Sequence, residues 1–276
     1  MSTWLITGCS TGLGRALATA VLERGDTAIV TARDVSQVQD FVDLYPDSAV
    51  ALALDVTDTD QVTAAVEQGT TAFGGIDVLV NNAGYGYRSA VEEGDDDAVR
   101  VLFETHFFGS VRTIKAVLPQ MRARRSGTIV NLSSIGARMT PAGSGYYSAV
   151  KSAIEGMTGS LRKELEPLGI SAMVVEPGGF RTDFSGRSLL QSQTAIDDYA
   201  DTAGKRRKEN DTSHGTQPGD PAKAAKAIIT AVDSSETPEM LVLGADAIRT
   251  FRSTLEAQLA SLEAWRPVGE KTSLDT

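Results

Sequence analysis

Cysteine and histidine are nearly absent from this chain of 276 residues: Cys9 stands alone, and there are two histidines. A single thiol excludes an internal disulfide and a cysteine cluster for zinc, and it agrees with a reducing cytoplasm. Two histidines leave little scope for a metal site. Basic charge is also short, with 26 Lys and Arg against 36 Asp and Glu and a formal net charge of −10. Neutralising phosphates needs a basic face, so nucleic-acid binding is not expected as the main activity. The one basic run, Lys205-Arg206-Arg207-Lys208, is flanked by Asp201, Glu209 and Asp211 and reads as a solvated loop. No segment approaches the roughly 20 apolar residues that a membrane-spanning helix needs. The first residues, Met1 to Gly8, carry neither a basic leader nor an apolar run long enough for a signal peptide. The expectation is a soluble, cytoplasmic protein.

What is present is enough apolar sequence, 41% against 22% charged, to bury a large core without disulfides or a structural metal. Short β-branched runs alternate with longer segments of helical period. The strands expected are Thr3 to Thr7, Thr27 to Ala32, Val50 to Leu54, Val78 to Asn81, Thr128 to Leu132, Ser171 to Glu176 and Met240 to Leu243. Their near-continuous hydrophobicity says that both faces are covered. Helical patterns lie at Gly14 to Arg24, Val38 to Leu44, Asp60 to Phe73, Asp95 to Arg122, Tyr146 to Leu168 and Pro221 to Val232. This alternation predicts an α/β fold, a single doubly wound, Rossmann-type parallel sheet of about seven strands with helices on both faces. One domain over residues 1–276 is expected, with an inserted loop at about 183–219. A last helix is expected from about Asp246 to Trp265, because Ile248, Phe251, Leu255, Leu259 and Leu262 recur at spacings of three and four. That stripe must pack on the body of the domain or on a second subunit.

The first strand runs into Thr7-Gly-Cys-Ser-Thr-Gly-Leu-Gly14. Gly8, Gly12 and Gly14, with Ser10, Thr11 and Leu13 between them, form a turn that lets backbone N–H groups and a helix N-terminus approach a pyrophosphate. A tight turn without a ligand is the plainer alternative, and position as the first strand of a βαβ pattern speaks against it. In many dinucleotide folds an acid at the end of the second strand holds the ribose 2′-hydroxyl, whereas a 2′-phosphate needs a cation. Here that strand ends on Ala32 and Arg33, so charge complementarity favours NADP(H) over NAD(H), although Asp34 dilutes the charge and Arg33 also fits an ordinary exposed loop. Asp55 and Val56 follow the third strand, and Asn82, Ala83 and Gly84 follow the fourth, at the edge where parallel sheets bind ligands. Asp55 fits either an acceptor for the adenine amine or a turn residue before the next helix.

Together with Ser134, Tyr147 to Lys151 and Pro177-Gly178, these residues resemble the short-chain dehydrogenase/reductase family over nearly the full length of the chain. The resemblance implies that Tyr147 is the general acid or base, that Lys151 binds the nicotinamide ribose and assists it, and that Ser134 orients the substrate carbonyl. It also implies that Pro177 and Gly178 bring backbone to the nicotinamide and that Thr182 contacts its carboxamide or the phosphates. The chemistry fits independently. A phenol of reference pKa about 10 is a poor base near neutrality, and an ammonium four residues on, one helical turn away, favours the phenolate. Ser133 and Tyr146 are the adjacent competitors, disfavoured by spacing. His106 departs from the family pattern, which has asparagine there to hold a water linking the lysine to solvent. An imidazole exchanges protons near neutral pH and is able to keep that role; a histidine that only fills space is the alternative.

Tyr85, Tyr87, Met139, Tyr146, Phe180, Phe184 and Leu189 are candidate walls for a substrate. Their apolar character favours a neutral ketone, aldehyde or secondary alcohol, with Arg88, Arg138 and Arg181 as the cations in reach of an anionic one. Two other classes compete: a noncatalytic NADP(H)-binding sensor or scaffold, and a nonredox epimerase or lyase on the same scaffold. The resemblance also implies a homodimer or homotetramer, pairing the helices near Asp95 to Arg122 and Tyr146 to Leu168.

Overall fold

The computed structural model describes residues 1–186, 188–208 and 215–274. Its centre is a seven-stranded, wholly parallel sheet of β1 (Thr3–Ile6), β2 (Thr27–Ala32), β3 (Ala49–Ala53), β4 (Val78–Asn81), β6 (Gly127–Leu132), β7 (Ile170–Pro177) and β9 (Met240–Leu243). The order is β3-β2-β1-β4-β6-β7-β9. A second ladder pairs the three-residue strands β5 (Gly86–Arg88) and β8 (Leu189–Gln191) in parallel. All seven expected core strands are found, with ends shifted by one residue at most. They are legible because β1, β2 and β4 have every residue buried, as strands covered on both faces require.

One face carries α1 (Gly12–Glu23), α2 (Gln39–Leu44) and α8 (Pro221–Val232), which pack Leu17, Val21, Phe41 and Ile228 onto Ile6, Val30 and Val80. The other carries α3 (Thr59–Phe73), α5 (Gly109–Arg124) and α7 (Gly145–Leu165), with Val66, Val117 and Leu165 against Leu5, Leu79 and Ile129. Their ends follow local chemistry. Asp58 caps α3 by accepting from the Asp60 and Gln61 amides, and Gly74, at φ 80°, ends it in the left-handed region. Asp220 caps α8, with Pro221 in the first turn where a missing N–H costs nothing.

The segment expected as one helix from Asp95 to Arg122 is broken. It runs as α4 (Asp96–Phe103), a π-helical turn (Glu104–Phe108) and α5. The wide turn carries His106 inward, 2% exposed. The short helix α6 (Gly136–Met139) follows β6.

The inserted loop is folded over the sheet's carboxyl edge. Its neck is closed by Arg181 N donating to Gly219 O and Gly219 N donating to Gly179 O, at 2.9 and 3.0 Å. Glu93 fixes its middle: buried, it accepts from the Ala90 and Ile196 amides and from Arg207. The basic run is therefore not simply a solvated loop, since Arg207 turns inward to a buried carboxylate. Glu209 and Asp211, two of the acids flanking that run, lie outside the described residues.

The last helix, α9 (Ala245–Gly269), is longer than its apolar stripe suggested. Ala247 and Phe251 are buried, but Ile248, Leu255, Leu259 and Leu262 are 48–63% exposed. The stripe thus packs on the body only at its start.

Candidate active site

Strand order reverses direction between β1 and β4, which opens a crevice at their carboxyl ends. The glycine turn lies on one side of it. Gly8 and Gly12 have φ of 73° and 65°, a region that side chains disfavour, and a Cβ on Gly8 would stand 3.0 Å from Ala83 Cα. Gly14 is held differently: a Cβ there would come within 2.3 Å of both Asn82 Nδ2 and Gly8 O. It therefore serves the packing of the turn rather than its ligand face.

Asn82 explains that packing. Its Nδ2 donates to the Thr7 and Gly8 carbonyls, while Thr7 Oγ1 accepts from the Asn82 and Ala83 amides. The end of β4 is thereby tied to the turn after β1. Asp55 is braced within its own turn, its Oδ1 accepting from Thr57 N and Thr57 Oγ1, while Asp58 caps the helix. At the end of β2, Arg33 is exposed, and the Asp34 carboxylate accepts from the Ser36 amide and hydroxyl.

A cleft of about 640 Å³ joins these residues to the chemistry end. It is lined by Gly8, Ser10, Thr11, Gly12, Leu13, Ala32, Arg33, Asp55, Val56, Asn82, Ala83 and Gly84, and further along by His106, Ser134, Tyr147, Lys151, Pro177, Gly178 and Thr182. Of the residues singled out from the sequence for cofactor or catalysis, Gly14 alone is off its wall.

Tyr147 and Lys151 lie one turn apart on α7, 6% and 5% exposed, with Lys151 Nζ 5.7 Å from the phenol ring centroid. Lys151 Nζ donates to Leu132 O at 2.7 Å, which ties it to the end of β6. Ser134 follows β6, and its Oγ accepts from Gly136 N at 3.0 Å. The neighbours have other partners: Ser133, also on the cleft wall, donates to Glu155 at 2.6 Å, and Tyr146, off that wall, donates to Val91 O at 2.7 Å. His106 meets the Tyr147 ring edge-on at 6.0 Å, its Nε2 lies at 3.0 and 2.9 Å from Tyr85 N and O, and its Nδ1 is buried without a partner.

Burial dominates the electrostatics. It pushes the Tyr147 phenol up to about 12 against smaller lowering by the Ser134 hydroxyl and the Arg88 charge. It pulls Lys151 down to about 7, opposed by the Glu155 carboxylate. His106 is held well below its ordinary value by burial and by the charge of Lys151, so the ring is neutral rather than exchanging protons near pH 7. A neutral phenol beside an amine that titrates near neutrality can hand a proton to an oxygen and be recharged.

The sequence of this chain over residues 2–192 matches the family model described as short chain dehydrogenase. The chain belongs to the short-chain dehydrogenase/reductase family. It is an oxidoreductase of the kind that acts on CH–OH and C=O groups. It is 39% identical to the oxidoreductase BOA17 of Botryotinia fuckeliana, over 95% of this chain and 96% of that protein. The crystal structure of a short-chain dehydrogenase from Streptomyces avermitilis is 43% identical, covers 99% of this chain and 98% of its own, and superposes with a TM-score of 0.92. A short-chain dehydrogenase/reductase from Burkholderia phymatum, in complex with NAD, shares the fold at 20% identity and a TM-score of 0.81, over 93% and 95% of the two chains.

For this dehydrogenase the sequence reading of the substrate walls needs correction. Tyr85, Phe180 and Phe184 line the cleft. Tyr87 is core, its hydroxyl accepting from Asp95 N; Met139 is exposed away from the cleft; and Leu190, not Leu189, faces it. Among the cations, Arg138 is engaged by Glu155 and Glu176, and Arg181 by the Gln217 carbonyl. The sequence reading missed Val101 and Thr105, brought to the wall from α4 and the π turn, and Ser188 and Gln217 from the loop. No local signal marks these four, because loop folding and the wide helical turn put them there.

Proposed function

We propose that this enzyme transfers hydride between NADP(H) and a neutral ketone or aldehyde and the corresponding alcohol, with Tyr147 as general acid or base assisted by Lys151 and Ser134. The observation that supports this reading is convergence: Ser134 from the end of β6, and Tyr147 and Lys151 from α7, meet on the cleft whose far end is the glycine turn. The residues fit a dinucleotide, since Gly8 and Gly12 line the cleft at φ of 73° and 65°, where the absence of side chains leaves their backbone free to approach a pyrophosphate. Gly8, Ser10, Thr11, Gly12 and Leu13 would hold its pyrophosphate, Asp55 and Val56 its adenine, and Asn82, Ala83, Gly84, Pro177, Gly178 and Thr182 its nicotinamide half. When bound, the nicotinamide supplies or accepts the hydride.

The protein's own groups do the rest. Tyr147, neutral at pH 7, donates its proton to the developing alkoxide in reduction and takes it back in oxidation. Ser134, held by the Gly136 amide, keeps its own proton for the phenol or carbonyl oxygen. Lys151 spends one N–H on Leu132 and retains others for ribose hydroxyls. His106 participates as a neutral hydrogen-bonding group through Nδ1. Arg33 favours a 2′-phosphate because the acid next to it in the chain, Asp34, is turned into its own 3₁₀ turn. The enzyme assembles as a homodimer or homotetramer through the α4–α5 and α7 faces.

A panel of neutral ketones and aldehydes, followed by loss of NADPH and NADH absorbance in parallel, tests the reading. Net NADPH oxidation is expected. Tyr147→Phe should lower turnover about 10²-fold or more with cofactor affinity nearly unchanged. Full activity in that variant would remove Tyr147 from the chemistry, and a clear NADH preference would contradict the part given to Arg33.

A further inference from the structure

Arg88 carries a buried charge that no carboxylate among the described residues meets. At the end of β5 it is 8% exposed, and its Nε is buried without a hydrogen-bond partner. Its guanidinium reaches only the Tyr87 carbonyl, at 3.5 Å, and no carboxylate among the described residues pairs with it. Burial, and with it the like charge of Arg206, pulls the Arg88 pKa down. A guanidinium nevertheless keeps its proton. Buried charges are normally matched, because leaving one unmatched is strongly unfavourable.

The group that Arg88 faces is Tyr147: its Cζ lies 5.9 Å from the phenol ring centroid, against 5.7 Å for Lys151 Nζ. Among the described residues, the rest of the phenol's surroundings supplies no anion. His106 meets the ring edge and is neutral, Phe184 packs at 5.8 Å, and Glu155 is spent on Ser133 and Arg138. Within this set the phenol itself is the group that can become the missing negative charge.

We propose that Arg88 is a positioning residue for proton transfer, whose permanent charge stabilises the phenolate form of Tyr147. The inference rests on the reading of Tyr147 as acid and base. In oxidation the alcohol's hydroxyl proton passes to the Tyr147 oxygen, and the carbon-bound hydrogen leaves with its electron pair for the oxidised nicotinamide, so that the alcohol becomes a carbonyl. Arg88 makes and breaks no bond. Lys151, pulled to about 7, loses its charge as pH rises, before a phenol pushed up to about 12 gives up its proton. Arg88 does not. The two cations therefore divide the work, one exchanging protons and the other holding a constant field.

The fold keeps that field strong. Arg88 is fixed by the β5–β8 ladder, opposite Gln191, and its carbonyl accepts from Ser192 N at 3.0 Å. Both partners belong to the loop that covers the site, so the loop that shields the substrate also shields the charge from water. A charge about 6 Å away in such surroundings is worth about one to two pH units on a titrating group.

The test separates charge from shape. Arg88→Gln keeps a polar stem without charge, and Arg88→Lys keeps the charge. The pH dependence of kcat/KM is measured for the alcohol matching the most active carbonyl of the panel, and the phenolate absorbance of the unliganded protein is titrated as a difference from Tyr147→Phe. Expected is an ascending limb moved up by about one pH unit in Arg88→Gln and unmoved in Arg88→Lys. Arg88→Met, which retains the apolar stem, replaces Arg88→Gln if that variant does not fold. Equal profiles in all variants, or equal displacement in Gln and Lys, overturn the proposal. An active Tyr147→Phe would instead overturn the reading beneath it, so the two failures are distinguishable.

Discussion

Gly84 and His106 occupy one space. A methyl on Gly84 would stand 2.3 Å from His106 Cε1 and 2.7 Å from Nδ1, so the glycine after β4 is required by the imidazole as much as by any ligand. Gly84→Ala should destabilise the chain by about 1–3 kcal/mol, the usual range for overpacking a filled core. Adding His106→Asn, which is shorter, should recover most of that loss. Denaturant unfolding of the two single variants and the double closes the cycle, and equal costs of Gly84→Ala in both backgrounds would refute the coupling. The same histidine shapes acid stability. Its folded pKa lies below the ordinary 6.5, so on acidification through that value the unfolded chain takes up a proton that the folded chain refuses. Stability then falls with pH below about 6.5, and less steeply in His106→Asn. Placement at this scale was legible where it came from order along the chain, as with Ser134, Tyr147 and Lys151, which the fold brings to one cleft. Arg88 was not, because its meaning lies in what fails to surround it.

The elements that the sequence hid are those built from contacts rather than from period. Strands β5 and β8 have three residues each and pair across more than a hundred positions, so no alternation announces them. The π turn at Glu104–Phe108 is invisible to a count of apolar spacings, because one extra residue in a turn shifts a helical stripe without erasing it. The loop is another such case, and Glu93 is its fastening. Its carboxylate is buried, accepts from the Ala90 and Ile196 amides at 2.8 Å each and pairs with Arg207, while its carbonyl accepts from the Ser192 hydroxyl. Glu93→Ala leaves the half-buried Arg207 guanidinium without its carboxylate and two amides without acceptors, a loss of about 2–4 kcal/mol. The expected result is faster proteolytic cleavage within residues 183–208 and a raised KM for substrate, with the global melt affected less. Those partners also hold the Glu93 carboxyl below its ordinary value. Its contribution is therefore complete above about pH 4.5 and lost as pH falls through the lowered pKa. Unchanged cleavage in Glu93→Ala would show that the loop is held elsewhere.

Across the whole molecule the seven core strands and the helices beside them could be read because burial on two faces, or on one stripe, writes itself into composition. The last helix shows where that legibility ends. Periodicity says that one face of α9 is apolar and says nothing of what covers it. In the folded chain Phe251 is the last side chain that packs on the body, with the Arg138 guanidinium 5.3 Å from its ring, and every described residue beyond it except Thr254 is exposed. Phe251 thus covers the arginine that binds Glu155 and Glu176 behind Lys151. Two truncations separate the parts of the helix. A chain of residues 1–254 keeps every buried contact and should melt within about 2 °C of the full chain, since exposed helix adds little to a core. A chain of residues 1–246 loses Phe251 and uncovers Arg138, a core loss of about 3 kcal/mol, which in a molecule of this size lowers Tm by about 6–12 °C. Scanning calorimetry at low protein concentration reads both. A 1–254 chain that melted as low as 1–246 would mean that the exposed leucines stabilise the protein through a contact not made within one chain, and the oligomer would then have to include the arm.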